Sequence, residues 1–284
     1  MAHAGASDSV WVSNGTYILS AQISVTSAVT VRGVGPAATI VSGGGITRCF
    51  SLSHAGAILD ELVISNGYTD GNGAGVLLTN GVVRNCTVIA NQLHGTTTYG
   101  AGIYMLAGTV SNCVVGLNSN HAANSVNVYC GGAYVAGGLL QYSVISNNVL
   151  TTDTRAMGAG VRVSGGTVEY CTIVGNEIHG AAYVDTGGAG VYLESGIVRK
   201  SQVVGNRIFA LTRSGYTHDG AGVWMRGSGL LENCVVRSNV ASQNGGGVHL
   251  ESGRILNCTI VGNSAPAFTG GGLHMTGGSV SNTI

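Results

Sequence analysis

The sequence predicts an all-β protein: a single-stranded, right-handed parallel β-helix (solenoid) of about ten coils, with three short strands in each coil. Three observations support this fold class. A glycine-rich motif recurs every 25 to 32 residues, apolar residues alternate after each motif, and the same residue types return at fixed offsets from it. Positions that repeat in this way are typical of a solenoid, in which each repeat stacks on its neighbour.

The motif that begins each repeat is Gly-Ala-Gly or Gly-Gly-Gly followed by an aliphatic residue, and Cys130-Gly131-Gly132-Ala133 replaces it once. The repeats begin at residues 73, 100, 130, 158, 188, 220, 245 and 270. After each motif, successive side chains point to alternate faces: Val76 and Leu78 point one way and Leu77 points the other. This period of two indicates a strand. A second strand then places one aliphatic residue inward: Val83, Val110, Leu140, Val168, Val198, Leu231, Ile255 and Val280.

The third strand carries a small inward residue, then an aliphatic residue, and ends near an asparagine. The small positions hold Cys86, Cys113, Ser143, Cys171, Ser201, Cys234, Cys258 and Thr283. The asparagines are Asn91, Asn118, Asn148, Asn176, Asn206, Asn239 and Asn263. Stacked amides can bond both the backbone and the next amide, and asparagine tolerates the left-handed conformation of a tight corner. We therefore predict that these residues form a structural ladder.

The seven cysteines follow the repeat rather than a metal-binding spacing. Cys86 and Cys113 fall in adjacent coils, as do Cys234 and Cys258. A disulfide needs side chains that converge, and parallel side chains in register do not converge well. Free cysteine also packs readily in cores. We therefore predict reduced, packed thiols rather than a disulfide framework.

Residues 1–72 are a degenerate version of the repeat, which predicts atypical capping coils. Residues 73–284 hold the regular repeats of the same continuous domain. Because the sequence stops partway through a repeat, we expect a fragment that is truncated at its C-terminus and lacks any signal or anchor. Bare strand edges at that end would favour end-to-end self-association.

Composition excludes several kinds of partner. Lys plus Arg and Asp plus Glu number 12 each, and charged residues make up only 8% of the chain. This balance offers no electrostatic surface for nucleic acid. No apolar run approaches the ~20 residues of a transmembrane helix, so we expect no membrane insertion of this segment.

The first strand also has an outward row that is rich in aromatic residues. Its ligand-binding candidates are Tyr104, Tyr134, Arg162, Tyr192, Trp224, His249 and His274. Coils repeat at ~4.8 Å, so these side chains would form a continuous ribbon. Aromatic faces in a row suit the apolar faces of sugars, and exposed aromatic patches commonly mark binding sites. The alternative is that the rings stack only to stabilise the sheet.

Variable insertions follow the asparagines, at residues 92–99, 119–129, 149–157, 177–187, 207–219, 240–244 and 264–269. Such insertions project from one edge of a solenoid, which is often its binding edge. The insertions contain four histidines and three aspartates: His94, His121, His179, His218, Asp153, Asp185 and Asp219. Asp70 lies at the equivalent place before the first regular repeat. The catalytic candidates are Asp185, Asp219, His218 and Arg162, as acid, base or charged partner. Ordinary turn chemistry is the alternative explanation for the aspartates.

No metal site and no cofactor are predicted, because no metal-ligand motif is present; calcium is the one ion left open, and no ligand motif supports it. Glu194 and Glu251 flank Arg226 in the alignment of the repeats. We interpret these three residues as a solvent-exposed charge ladder of little energetic weight.

The repeats resemble those of known bacterial β-helix proteins. The glycine-rich start and late asparagine of residues 245–265 are similar to the motifs of polymorphic outer-membrane, autotransporter-like adhesin passengers. Residues 15–41 resemble the opening of pectate-lyase-like β-helices. The resemblance implies a bacterial extracellular or cell-surface protein. Pectate lyases place clustered aspartates and a catalytic arginine on one sheet; no matching aspartate cluster occurs here, so no catalytic residue is transferred.

These observations leave three functions open. The first is an extracellular scaffold or adhesin segment that binds a glycan or a surface protein through the aromatic ribbon. The second is a polysaccharide lyase or glycoside hydrolase, which needs a suitably spaced pair of carboxylates or a base beside an arginine. The third is a self-assembling structural fibre.

Overall fold

The computed structural model describes residue 5 and residues 7–35, 37–95, 97–122, 128–152, 154–180, 185–210, 218–266 and 269–284. These residues contain 39 short strands and no helix, and strands of successive coils pair in parallel. The predicted all-β parallel solenoid is therefore confirmed. In the same residues no helix has the length and apolar character needed to cross a membrane.

The strands stack in five ladders. The first ladder follows the glycine motif and comprises Ile23–Val25, Phe50–Leu52, Val76–Leu78, Ile103–Met105, Ala133–Val135, the start of Val161–Glu169, the start of Val191–Arg199, Val223–Met225, Val248–Leu250 and Leu273–Met275. The second ladder joins the first in one 19-stranded sheet. It comprises Ser9–Trp11, Thr30–Arg32, Ile58–Asp60, Val82–Arg84, Thr109–Ser111, Leu139–Gln141, the ends of the two nine-residue strands, Leu230–Glu232, Arg254–Leu256 and Ser279–Ser281.

The third ladder is a separate ten-stranded sheet. It comprises Gly15–Ile18, Thr39–Ser42, Val63–Ser65, Thr87–Ile89, Val114–Gly116, Val144–Ser146, Thr172–Val174, Gln202–Val204, Val235–Arg237 and Thr259–Val261. The first three ladders enclose the main core. The inward residues of the second ladder from Val83 to Ile255 are at most 1% exposed, whereas Val280 in the last strand is half-buried. Full burial of each such side chain contributes about 1.5–3 kcal/mol.

The asparagine ladder is confirmed, and its hydrogen bonds connect successive coils. The side-chain amide of Asn176 donates to the carbonyl of Ile145 at 3.1 Å and to Oδ1 of Asn206 at 2.9 Å. Its own Oδ1 accepts from the backbone and side-chain amides of Asn148 at 3.0 and 2.9 Å. The same pattern runs from Asn91 to Asn263. Each buried amide therefore satisfies backbone groups that the corner would otherwise leave unpaired.

One detail of the expected corner is wrong. The left-handed residue is the one before each ladder asparagine, as at Ala90 (φ 54°) and Leu117 (φ 55°), and not the asparagine itself. A second left-handed corner lies between the second and third ladders, for example at Asn85 (φ 53°). The ladder asparagine is thus free to keep an ordinary backbone conformation, which points its amide along the axis toward the next coil.

The seven cysteines are all buried and reduced, as predicted. Cys86 and Cys113 occupy equivalent positions in adjacent coils, since the strands before them pair Val83 with Val110. The thiols of the small inward positions donate to backbone carbonyls, such as Cys113 Sγ to the carbonyl of Ser111 at 3.2 Å. The inner column therefore consists of aliphatic and thiol side chains, with serine in the same ladder at two positions.

The insertions are more regular than the sequence indicated, because they contain two further ladders. The fourth ladder comprises Tyr68–Thr69, Gln92–Leu93, Ser119–Ala122, Val149–Thr152, Glu177–Gly180 and Arg207–Ala210. The fifth comprises Val128–Tyr129, Ala156–Met157, Thr186–Gly187 and His218–Asp219. Between them lies a second small core, formed by Val128, Leu150, Ala156, Ala159, Ile178, Ala189, Ile208, Ala221 and Ala241.

Candidate functional site

The register of the predicted aromatic ribbon is confirmed across every coil. Tyr104 pairs with Tyr134, Tyr134 with Arg162, and Arg162 with Tyr192. The row continues through Trp224, His249 and His274 in the same way. The seven candidate ligand-binding residues therefore stand directly over one another on the outward face of the first ladder.

The expectation that this ribbon is exposed along its length is wrong for three residues. Tyr192, Trp224 and His249 are 2%, 1% and 4% exposed. The fifth ladder covers them, because the longer insertions fold back over the first ladder: Met157 packs with Tyr192 and Trp224 in one apolar cluster, and Asp219 contacts His249. At the two ends of the ribbon, Tyr104, Tyr134 and His274 remain half-buried.

The exposed end of the ribbon forms a tyrosine–arginine cluster, which we define as Tyr99, Tyr104, Tyr129, Tyr134 and Arg162. Tyr104 and Tyr134 stack with ring centroids 5.0 Å apart and an interplanar angle of 11°. Tyr99 and Tyr129 stack at 5.0 Å and 10°. The two pairs meet where Tyr99 lies 4.9 Å from Tyr134. Tyr99, Tyr104 and Tyr134 are half-buried, so their rings reach the surface.

Arg162 lies at the centre of this cluster, with its side chain only 11% exposed. Its guanidinium is 4.5 Å from the ring centroid of Tyr129 and 5.2 Å from that of Tyr99, both within cation–π range. Glu194 pairs with it at 2.8 Å. Burial opposes the charge of Arg162, but the attraction of Glu194 outweighs it and raises the pKa of the guanidinium. The cation is therefore held permanently charged beneath the tyrosines.

The residues that the sequence suggested as catalytic differ in burial and in the face to which they point. Asp219 and His218 are both fully buried. They are neighbours in one two-residue strand, so their side chains point to opposite faces: Asp219 toward His249 and His218 toward the second core. Asp185 is half-buried, and its charge contributes to the raised pKa of Arg226. Asp153 lies outside the described residues.

The other histidines of the insertions lie on or beside the fourth ladder, away from the ribbon. His94 and His121 are exposed, with rings 6.1 Å apart. His179 stacks on Phe209 at 4.9 Å and pairs with Glu177 at 2.8 Å. Asp70 is exposed. These residues form a separate surface and do not assemble with the catalytic candidates.

The expected charge ladder is present in part. Arg226 pairs with Glu251 at 3.1 Å and is half-exposed, as predicted. Glu194 instead pairs with Arg162, one coil back. The site that sequence reasoning missed is a group of possible metal ligands, Asp219, His249 and His274. The repeat spacing could not reveal this group, because Asp219 belongs to an insertion and the two histidines belong to the ribbon. Only the packing of the fifth ladder on the first brings them together.

The model of a protein family described as "Right handed beta helix region" matches residues 119–284. The chain belongs to this family. The match covers most of the regular repeats and agrees with the parallel ladders, so the right-handed β-helix fold is established. It specifies no reaction, since one fold can carry many unrelated sites.

Two further comparisons add little about function. No curated protein matches the sequence. Among solved structures, the chain is similar to one described as the alginate lyase AlyF-OU02 in complex with G6, with 13% sequence identity and a TM-score of 0.36. That similarity covers 91% of this chain and 68% of the other.

Proposed function

We propose that this right-handed β-helix is an extracellular scaffold segment of a bacterial surface protein, which binds a glycan at the tyrosine–arginine cluster. The observation that supports the proposal is the group of half-buried Tyr99, Tyr104 and Tyr134, in which Tyr99 and Tyr134 lie beside the Arg162 guanidinium and Tyr104 stacks on Tyr134. Tyrosine presents an apolar ring and a polar hydroxyl on the same rigid side chain, which suits a sugar with one apolar and one polar face.

The cluster is already ordered before any ligand arrives. Tyr104 and Tyr134 hold each other by stacking, and the hydroxyl of Ser164 donates to the Tyr134 hydroxyl at 2.7 Å. Arg162 and Glu194 fix the base of the cluster through their ion pair. A preordered surface loses little conformational entropy on binding, which favours affinity from a small contact area.

A polysaccharide lyase or glycoside hydrolase is the alternative, and the observed geometry does not favour it. Such an enzyme needs an acid and a base that both reach the substrate. Asp219 and His218 have no exposed surface, so neither can contact a polysaccharide directly. Binding requires only the side chains that reach the surface, and the tyrosines do.

A glycan array probed with the intact chain tests the proposal, followed by calorimetry with the glycans that bind. The double variant Tyr104→Ala, Tyr134→Ala should weaken binding at least tenfold. The matched control is Tyr142→Ala, Tyr170→Ala, since these rings also stack, at 4.9 Å and 9°, but lie outside the cluster and are exposed. An equal loss in both double variants, or an array with no glycan bound, would contradict the proposal.

Two other outcomes would identify a different function. Release of shortened or unsaturated sugars from a bound polysaccharide would establish the lyase or hydrolase. Concentration-dependent growth in sedimentation velocity, without any glycan binding, would favour the self-assembling fibre. Capture of a purified surface protein by the cluster, blocked by the Tyr104→Ala, Tyr134→Ala variant, would replace the glycan with a protein ligand.

A further inference from the structure

Three side chains with metal-binding atoms converge at the other end of the ribbon, in a histidine–aspartate cluster of Asp219, His249 and His274. His249 Nδ1 lies 2.8 Å from Asp219 Oδ2 and 3.2 Å from His274 Nδ1. All three ligand atoms lie within 4.8 Å of one another. The histidines occupy successive strands of the first ladder, and Asp219 arrives from the fifth, so the two layers meet at this point.

The carboxylate of Asp219 is fully buried, and one of its oxygens lacks a hydrogen bond. Oδ1 accepts from the backbone amide of Asn244 at 2.7 Å. Oδ2 has no hydrogen-bond partner among the described residues, because the nearby His249 Nδ1 does not approach it in a donating direction. A buried carboxylate oxygen without a partner is costly, and a cation between the ligand atoms would remove that cost.

We propose that Asp219, His249 and His274 bind a divalent transition-metal ion, with zinc as the reference ion. Zinc bonds to histidine nitrogen at about 2.0–2.1 Å and to carboxylate oxygen at about 2.0–2.2 Å, in tetrahedral geometry. Neighbouring ligand atoms then lie about 3.3 Å apart, close to the 3.2 Å between the two Nδ1 atoms, whereas the 2.8 Å between His249 Nδ1 and Asp219 Oδ2 would lengthen when the ion binds. Two imidazoles and one carboxylate suit zinc and its neighbours, whereas calcium and magnesium prefer oxygen ligands alone.

The residues around the cluster orient His249 for this role. Its Nε2 lies 3.7 Å from Oε1 of Glu251. Glu251 is itself held by the indole Nε1 of Trp224 at 3.0 Å and by Arg226 Nε at 3.1 Å. A carboxylate beside the remote nitrogen of a ligating histidine fixes the tautomer that leaves the other nitrogen free for the metal. At 3.7 Å Glu251 is beyond hydrogen-bond distance, so its charge favours the Nε2–H tautomer of His249, which leaves Nδ1 as the nitrogen that faces Asp219 and His274.

The site is independent of the glycan proposal, because it uses none of the tyrosine–arginine cluster. Three protein ligands leave one coordination position for water. The competing arrangement is a metal-free relay, in which the two histidines share a proton between their Nδ1 atoms. The two arrangements differ in whether the intact protein takes up one ion per chain.

Metal binding to the intact, untagged chain tests the inference. After chelator treatment and dialysis, calorimetry with zinc should give one site per chain, and cobalt should give the visible absorption of a tetrahedral site with nitrogen and oxygen ligands. No uptake of either ion would overturn the inference. A cobalt–thiolate charge-transfer band would overturn it as well, since it would assign the metal to the cysteines.

Variants locate the ion. His274→Ala removes a half-buried ligand and should lower zinc affinity at least tenfold, whereas Glu251→Gln removes only a charge near Nε2 of His249 and should lower it by less. His179→Ala is the matched control, since His179 is a partly exposed histidine beside a carboxylate elsewhere in the chain. Unchanged affinity in His274→Ala would show that the site is wrong. If His274→Ala loses its β-type circular dichroism, Asp219→Asn is measured instead, because it keeps the side-chain shape. Unchanged zinc affinity in Asp219→Asn would then show that the site is wrong.

Discussion

The α-carbon of Gly187 lies against the indole ring of Trp224, so closely that a side chain has no room. A Cβ atom at Gly187 would lie 2.3 Å from Cε3 of Trp224 and 2.3 Å from the carbonyl oxygen of Asp219. The fifth ladder can therefore cover Trp224, the largest ring of the row, only because a glycine faces it. This contact explains how Trp224 becomes fully buried although it points away from the main core.

Gly187→Ala should destabilise the protein by about 1–3 kcal/mol, because overpacking forces the two layers apart. Chemical denaturation monitored by the fluorescence of Trp224 and Trp11 would measure the loss. Gly71→Ala is the control, since a Cβ there meets only ordinary contacts of 3.4 Å or more. Equal losses in both variants would show that the cost comes from glycine replacement in general. A Trp224→Leu change should recover part of the loss in Gly187→Ala but not in Gly71→Ala.

Asn176→Ala should cost about 2–4 kcal/mol in the free energy of unfolding. The substitution removes two donated bonds, and it takes the acceptor from the backbone N–H and from one side-chain N–H of Asn148 in a buried corner. Asn263→Ala is the comparison, because Asn263 is half-buried and donates only to the carbonyl of Val236. Urea denaturation should show a smaller loss in the free energy of unfolding for Asn263→Ala than for Asn176→Ala. The reverse order would contradict the conclusion that the asparagine ladder is the main support of this corner.

The buried thiols predict a loss of stability in alkaline solution. Burial raises the pKa of Cys49, Cys113, Cys130 and Cys171 from 9.0 to about 12. Between these values the unfolded chain releases protons that the folded chain retains, so the free energy of unfolding falls as the pH rises. The loss is about 1 kcal/mol per thiol at one pH unit above the unfolded pKa.

Denaturation between pH 8 and pH 11 would measure this slope. Cys171→Ser is the matched variant, because Ser143 and Ser201 occupy the same ladder position in the neighbouring coils; its slope should be shallower by one titrating group. Alkylation followed by mass spectrometry should modify none of the thiols in the folded protein and all seven after unfolding. Rapid modification in the folded state would show that the column of thiols is open to solvent.

Glu194→Gln should destabilise the tyrosine–arginine cluster by about 1–3 kcal/mol. The change leaves the Arg162 guanidinium charged and without its counter-ion, and only the partial exposure of Glu194 limits the penalty. Thermal unfolding and the near-ultraviolet circular dichroism of the tyrosines would both report the change. The control is Glu177→Gln, whose carboxylate is as exposed as that of Glu194 but whose partner His179 is 41% exposed against 11% for Arg162, so that this ion pair should contribute less than about 0.5 kcal/mol.

The ribbon shows how far the sequence could predict the candidate site. The pairing of Tyr104 with Tyr134 and of His249 with His274 followed from the spacing of the glycine motifs alone. The burial of Trp224 did not, because the spacing says nothing about what covers the outward face. A weak signal was present in the insertions: an aliphatic residue two positions after several ladder asparagines, at Leu150, Ile178 and Ile208, marks the fourth ladder.

The sequence by itself determined which residues stack on which: strand positions, the inward column and the asparagine ladder follow from one order of motifs that every regular coil repeats. The physical reason is that like positions in a parallel solenoid must pair in register, so local alternation fixes long-range contacts. The tertiary structure alone decided that the fifth ladder folds over the first. Contacts between these two layers, such as that of Asp219 with His249, join the insertions to the regular repeat. Because the insertions differ in length, these contacts depend on how the two surfaces pack and cannot be derived from the repeat spacing.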